Sequence, residues 1–229
     1  ARVAITKTMS PDELKAIKLK NPHEYKVIGK WIPRLDIPEE VDGRARFGID
    51  VFLPGMAYAK VKYPPTRDGG KHRTVDDSAA KLVKGYIRTV VNDDLVAVIA
   101  ETYEAAVEAR DALKVAWDLG PYASVSSASI LQEYERKTRQ EPGVLWVNTG
   151  DVKAAMAQTV RSYTATYTTD FTAHAQLEPL NCVARYENGV YDLFTGTQWQ
   201  SDSAGGLSKK LGVDPSKIRI HQQYLGGSF

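Results

Sequence analysis

Few side chains in this 229-residue sequence carry obvious chemistry. The histidines are His23, His72, His174 and His221, and the single cysteine is Cys182. None of the histidines shows the paired spacing of a zinc site. His174 and Glu178 stand one helical turn apart in His174-Ala175-Gln176-Leu177-Glu178-Pro179-Leu180-Asn181. On a helix both could face one metal ion, but Pro179 opposes a continuing helix, and two ligands do not complete a site. The plainer expectation is a buried, hydrogen-bonded loop between two strands. A lone cysteine excludes an internal disulfide and a cysteine-based metal site, and Cys182 is expected as a small core residue. There is no Gly-x-Ser-x-Gly nucleophile elbow, and Ser228 follows two glycines without a nameable base. Carboxylates are scattered, so no acid–base pair stands out.

Two segments near the carboxyl end say more. One is Phe194-Thr195-Gly196-Thr197-Gln198-Trp199-Gln200; the other is Leu225-Gly226-Gly227-Ser228-Phe229, where the sequence stops. Paired glycines let backbone approach a ligand or adopt φ > 0. The expectation is the edge of a cofactor site, carried on a fragment of a larger protein.

The elements that must hold these segments follow from pattern. Ser10-Pro11-Asp12-Glu13 reads as a helix start with a capping box, and Leu14 and Ile17 share one face. Residues 21–55 are rich in proline and glycine, and Lys30 to Pro38 reads as an extended arm or a linker. A strand is expected over 56–63 and a polar loop over 71–74. Leu95-Val96-Ala97-Val98-Ile99-Ala100 is a continuous apolar run of strand length. Thr102 caps a following helix with Ala105, Ala106, Ala109 and Leu113 on one stripe, and 114–118 reads as a returning strand. No glycine-rich phosphate loop joins that strand to its helix, which argues against a dinucleotide site there.

Glycine, proline and serine cluster over 119–127 as a boundary. Beyond it the pattern predicts a helix over 127–139 with Ile130, Leu131 and Tyr134 inward, and a short helix from Gly150-Asp151-Val152 to Met156. Strands are expected over 160–169, 181–186 and 190–194, the last two joined by an Asn188-Gly189 hairpin. A helix over 201–211, ended by Gly212, leads to a last strand over 217–224. There are no internal repeats. The hydrophobic fraction of 43% suits a globular chain, and the net charge of +2 is spread along it. That argues against a nucleic-acid arm or a polybasic membrane patch. No apolar run approaches the roughly 20 residues of a membrane span.

Several segments together resemble the molybdenum-cofactor subunit of the xanthine oxidase and aldehyde oxidoreductase family, closest to its isoquinoline 1-oxidoreductase beta-subunit and aldehyde dehydrogenase types. They are 25–30, 33–38, 41–50 and 54–59, then 96–100 through 105–109, then 150–152. His174 to Asn181 is similar to the family's His-x-x-Leu/Met-Glu-Pro segment. Thr197-Gln198 and Gly226-Gly227-Ser228-Phe229 are similar to two cofactor-contact segments. The likeness lies in their order and joint spacing rather than in any one motif.

The resemblance implies an α+β, mixed α/β fold. An N-terminal arm would occupy residues 1–40, a small hammerhead-type domain 41–122, and an incomplete first part of a molybdenum-cofactor-binding domain 123–229. It implies that Gln198 reaches toward an oxo ligand on molybdenum, where an amide can donate without adding charge. Gly226, Gly227 and Ser228 would lie against the cofactor, and Phe229 beside the substrate pocket, with Glu178 a weaker pocket candidate. A strand-bridging role for Gln198 and a core role for Phe229 are the structural alternatives; Trp199 is expected to pack.

The cofactor implied is a molybdenum-pterin, in cytosine dinucleotide form. The partners implied are a [2Fe-2S] small subunit, a cytochrome c subunit and the rest of the large subunit. The parent reaction would be oxidative hydroxylation of an aldehyde or N-heterocycle. The family's catalytic glutamate lies beyond residue 229, so the fragment is expected to be inactive alone. A periplasmic location is implied by resemblance only. The rival expectation is a non-catalytic scaffold that docks the electron-transfer subunit.

Overall fold

The computed structural model describes residues 8–227, apart from 67 and 94. Its first part is an arm with little core. Helix α1 (Pro11–Lys15) has the expected capping box, with Glu13 N donating to Ser10 Oγ and Ser10 N to the Glu13 carboxylate. Leu14 and Ile17 nevertheless stay exposed. The expected extended arm gives way at its end to a helix, α2 (Ile37–Asp42), with proline in its first turn and Gly43 at φ +79° closing it.

The central unit follows. Strands β1 (Tyr58–Lys62), β2 (Lys71–Asp76), β3 (Tyr86–Asn92) and β4 (Leu95–Ala100) precede helix α3 (Tyr103–Ala112) and strand β5 (Lys114–Asp118). β4 is the middle of an antiparallel sheet ordered β1-β4-β3. Alternate residues Val96, Val98 and Ala100 are buried against α3, which presents Ala105, Ala106 and Ala109. Small alanines let the helix sit close to the sheet, and Leu113 and Ala80 close the core. Thr102 Oγ1 caps α3 by accepting from Ala105 N at 3.2 Å.

Two expectations fail here. Residues 71–74 are not a polar loop but the start of β2, which pairs antiparallel with β5 across a bulge between His72 and Thr74. Its partner lies far along the sequence and its alternation is polar, so no local signal marked it. For the same reason β5 does not return beside β4; it forms a separate two-stranded sheet.

After the 119–126 turns comes α4 (Ser127–Gln140), capped by Ser126 and laced by Arg136 to Glu133 and Glu141. Ile130 and Leu131 are half-buried, but Tyr134 is exposed, against expectation. Helix α5 (Val152–Ala157) is capped by Asp151.

The strand expected over 160–169 does not form: the stretch is irregular and pairs with no strand among the described residues, and Tyr163 and Tyr167 are exposed. Alternation alone does not make a strand when no edge is alongside to share its hydrogen bonds. The loop 174–181 is not buried as expected, since Leu177 and Leu180 face solvent. Cys182 is likewise exposed, one residue before β6 (Val183–Glu187), and is not a core residue.

The carboxyl-terminal unit has β6, β7 (Val190–Thr195), helix α6 (Gln200–Leu211) and β8 (Ile218–Gln222). β6 and β7 form the expected hairpin on Asn188 (φ 51°) and Gly189 (φ +76°), a left-handed pair that suits the twist of two strands. β7 and β8 pair in parallel, and α6 crosses between them and packs on β8. Leu193 and Ile218 are buried in this sheet.

Candidate functional site

The carboxyl ends of parallel strands are where α/β units collect their loops. β7 and β8 end together there, at Thr195 and Gln222. The loop Gly196–Trp199 leaves β7 and enters α6. The bend at Gly226–Gly227 follows β8. Gln223 N donates to Thr195 O at 3.1 Å, holding the two departures side by side. A Cβ on Gly196 would lie 2.8 Å from Tyr224 O and 2.9 Å from the Leu225 side chain, so this contact needs glycine.

The first loop is fixed by its own polar groups. Trp199 N donates to Thr197 Oγ1 at 3.2 Å, and Gln200 Nε2 donates to Gln222 Oε1 at 2.7 Å, tying α6 to the end of β8. Gln198 stands between these anchors, exposed, and among the described residues its amide makes no hydrogen bond. The α6 start lacks a side-chain cap at Trp199, so no capping side-chain oxygen takes up its first-turn N–H groups. Trp199 itself is exposed rather than packed.

The second loop rests on the segment that carried His174 and Glu178. Glu178 Oε1 accepts from Ile49 N at 3.0 Å and from Asn181 Nδ2 at 2.8 Å; Oε2 accepts from Gly226 N at 3.1 Å. Gly226 O in turn accepts from Leu177 N at 3.1 Å. Gly227 takes φ +113°, which favours glycine. Gln176, residues 178–181, Gly196 and residues 225–227 line one small pocket. His174 is exposed and is not brought to Glu178, whose carboxylate is engaged elsewhere. Ser228 and Phe229 lie outside the described residues. Among the described residues no cluster of three or more His, Cys, Asp or Glu side chains is gathered to hold a metal ion.

The arm reaches this edge too. Phe47 bridges to Tyr224 in parallel, Tyr224 N donates to Arg46 O at 3.1 Å, and Tyr224 Oη donates to Glu39 at 2.9 Å. The Glu39 carboxylate accepting that proton raises the phenol's pKa. On the sheet nearby, Asp192 is buried and pairs with His221 Nε2 at 2.7 Å and Arg185 at 2.9 Å. Those hydrogen bonds hold its carboxyl below the usual range, His221 contributing most. His221 also stacks on Phe194, ring centroids 4.5 Å apart. Sequence reading passed over Asn181, Gly48 and Thr195. Their importance depends on contacts between distant segments, although the Asn in Glu178-Pro179-Leu180-Asn181 was in view.

Two loops thus converge at the carboxyl edge of a parallel strand pair in an α+β fold, next to a helix start without a side-chain cap. Residues 135–229 match the molybdopterin cofactor-binding domain model. The chain is 38% identical to a membrane-bound aldehyde dehydrogenase [pyrroloquinoline-quinone] of Gluconacetobacter polyoxogenes, covering 96% of this chain and 30% of the relative. It is 33% identical to the isoquinoline 1-oxidoreductase subunit beta of Brevundimonas diminuta, covering 93% and 28% respectively. Among solved structures, quinoline 2-oxidoreductase from Pseudomonas putida 86 shares the fold at TM-score 0.57 and 15% identity, over 86% of this chain and 30% of that one. The chain belongs to the xanthine oxidase family of molybdopterin-binding subunits. It spans less than a third of the length of these relatives.

Proposed function

We propose that this chain supplies one wall of the cofactor site in a molybdenum hydroxylase large subunit, which oxidatively hydroxylates an aldehyde or an N-heterocycle with oxygen from water. The observation that carries the reading is the meeting of loop 196–199 with bend 225–227, inside the region that matches the molybdopterin cofactor-binding domain. The residues fit such a group. Gln198 offers a free neutral amide, and the backbone of Gly226 and Gly227 can approach a ligand without a side chain in the way. When bound, the molybdenum-pterin supplies the two-electron redox chemistry. This chain's part is to bind and orient: Gln198 through its amide, and the glycine bend through the backbone of Gly227.

Residues 1–40 form an arm in this reading, 41–122 a hammerhead-type domain and 123–229 the first part of the cofactor domain. The general base lies outside these 229 residues. Electrons leave through a [2Fe-2S] subunit and a cytochrome c subunit. The cofactor takes its cytosine dinucleotide form.

In the full-length enzyme, Gln198→Ala should cut turnover about tenfold or more, as loss of a group beside a metal centre commonly does, with thermal stability unchanged. Elemental analysis and pterin fluorescence of the unaltered protein come first. A quinone in place of molybdenum would overturn the proposal, and so would unchanged turnover in the variant for Gln198.

A second reading has its own observation. The unit 58–118 buries a core of its own, built on Val96, Val98, Ala100 and the alanines of α3. That suits an assembly domain for docking the electron-transfer subunit. Removing molybdenum from the full enzyme would leave that docking intact if the scaffold role is real.

A further inference from the structure

We infer that Glu178 is a positioning residue that fixes the Gly226–Gly227 bend relative to the Gln198 loop, rather than a group that touches substrate. This rests on the cofactor-wall reading above. Among the described residues, three hydrogen bonds reach its carboxylate and all come from N–H groups: Ile49 N and Asn181 Nδ2 on Oε1, Gly226 N on Oε2. An ionised carboxylate is acceptor-only, so it can satisfy all three at once. Hydrogen bonds to charged acceptors are also the stronger kind. With both oxygens engaged in the protein, little of the group is left for a ligand.

The clamp acts on the bend from both sides. Gly226 N donates to the carboxylate while Gly226 O accepts from Leu177 N. The two backbones touch so closely that a Cβ on Gly226 would sit 2.2 Å from Glu178 Cβ. Gly226 is therefore glycine because of this clamp, independently of any cofactor.

The clamp also extends to the other loop. Asn181, held by Glu178, accepts from Thr195 Oγ1 through its backbone carbonyl at 2.9 Å. Thr195 is the last residue of β7, immediately before Gly196-Thr197-Gln198. On the far side, Gly48 fits against Asn181 so tightly that a Cβ would lie 2.3 Å from Asn181 Oδ1. One carboxylate and one amide thus join the arm, the β7 exit and the glycine bend.

Glu178→Gln tests this. A glutamine must turn its NH2 toward at least one of the three donors, so the clamp cannot close. Three measurements on the full-length enzyme are compared: hydrogen–deuterium exchange over 48–50 and 224–227, molybdenum per chain, and kcat and KM for an aldehyde and an N-heterocycle. The expected result is exchange at least tenfold faster in both segments with 95–100 unchanged. Molybdenum content or kcat should fall, and KM should stay the same for molecules that keep the metal. Unchanged exchange with an altered KM would make Glu178 a substrate contact and overturn the inference. Should Glu178→Gln fail to fold, Gly48→Ala replaces it. It pushes on Asn181 from outside the proposed site and should also speed exchange over 224–227; unchanged exchange there overturns the inference. If the unaltered enzyme holds no molybdenum, the cofactor-wall reading fails by itself, while the exchange result still decides the clamp.

Discussion

The unit from β1 to β5 and the unit from β6 to β8 are built to different standards of closure. In the first, one apolar strand and one alanine-striped helix bury Val96, Val98, Ala100, Ala106 and Ala109 completely. In the second, Leu193 and Ile218 are the buried apolar side chains, and they share the interior with Asp192 and Ser208. The first unit spends its apolar residues on packing, and its polar cluster of Asp77, Lys81, Tyr86 and Thr89 is bonded within itself. The second leaves its loops polar, close and only partly covered. The difference teaches where function can sit: a site needs backbone and side chains that the fold does not consume.

That contrast can be broken by mutation. The largest effect should come from Leu113→Ala, which opens a cavity in the closed core and should cost about 2–5 kcal/mol in denaturant unfolding. Leu193→Ala removes the same atoms from the open unit and should cost clearly less, because solvent already reaches its surroundings. Equal losses would erase the distinction between the units.

Next, Gly189→Ala forces a side chain into a left-handed turn position and should cost about 1 kcal/mol, since alanine pays roughly 1–2 kcal/mol for that conformation. The smallest effect should be Asp192→Asn. Its partners Arg185 and His221 are nearly half exposed, so solvent screens the pairs. A carboxyl whose folded pKa is depressed stabilises the fold above its unfolded value near 3.8 and loses that contribution as pH falls through the folded value. Melting temperature followed from neutral pH down into that acid range should therefore decline less steeply in the asparagine variant. Parallel curves would show that the pair is idle.

The legible parts of the fold were those whose cause is local. Leu95–Ala100, the Thr102 cap and the alanine stripe announce themselves within a few residues of each other, as do the Asn188-Gly189 turn and the Gly212 stop. β2 was read as a loop because its evidence is β5, distant in sequence and paired through polar residues. Residues 160–169 were read as a strand because alternation was present and the missing neighbour was not visible. At the candidate site, Gln198 and Gly226 stood out by residue type. The Glu178 bonds to Ile49 and Gly226 join three remote stretches, and no local pattern encodes them.

The uncovered ribbon from 160 to 173 has a practical consequence. It turns Tyr163, Tyr167 and Phe171 outward, and its amides lack a neighbouring strand. Two copies of such a ribbon are natural templates for each other. Kept alone at high concentration, these 229 residues should stick together through that stretch, and charged substitutions at Tyr163 and Tyr167 should keep them apart.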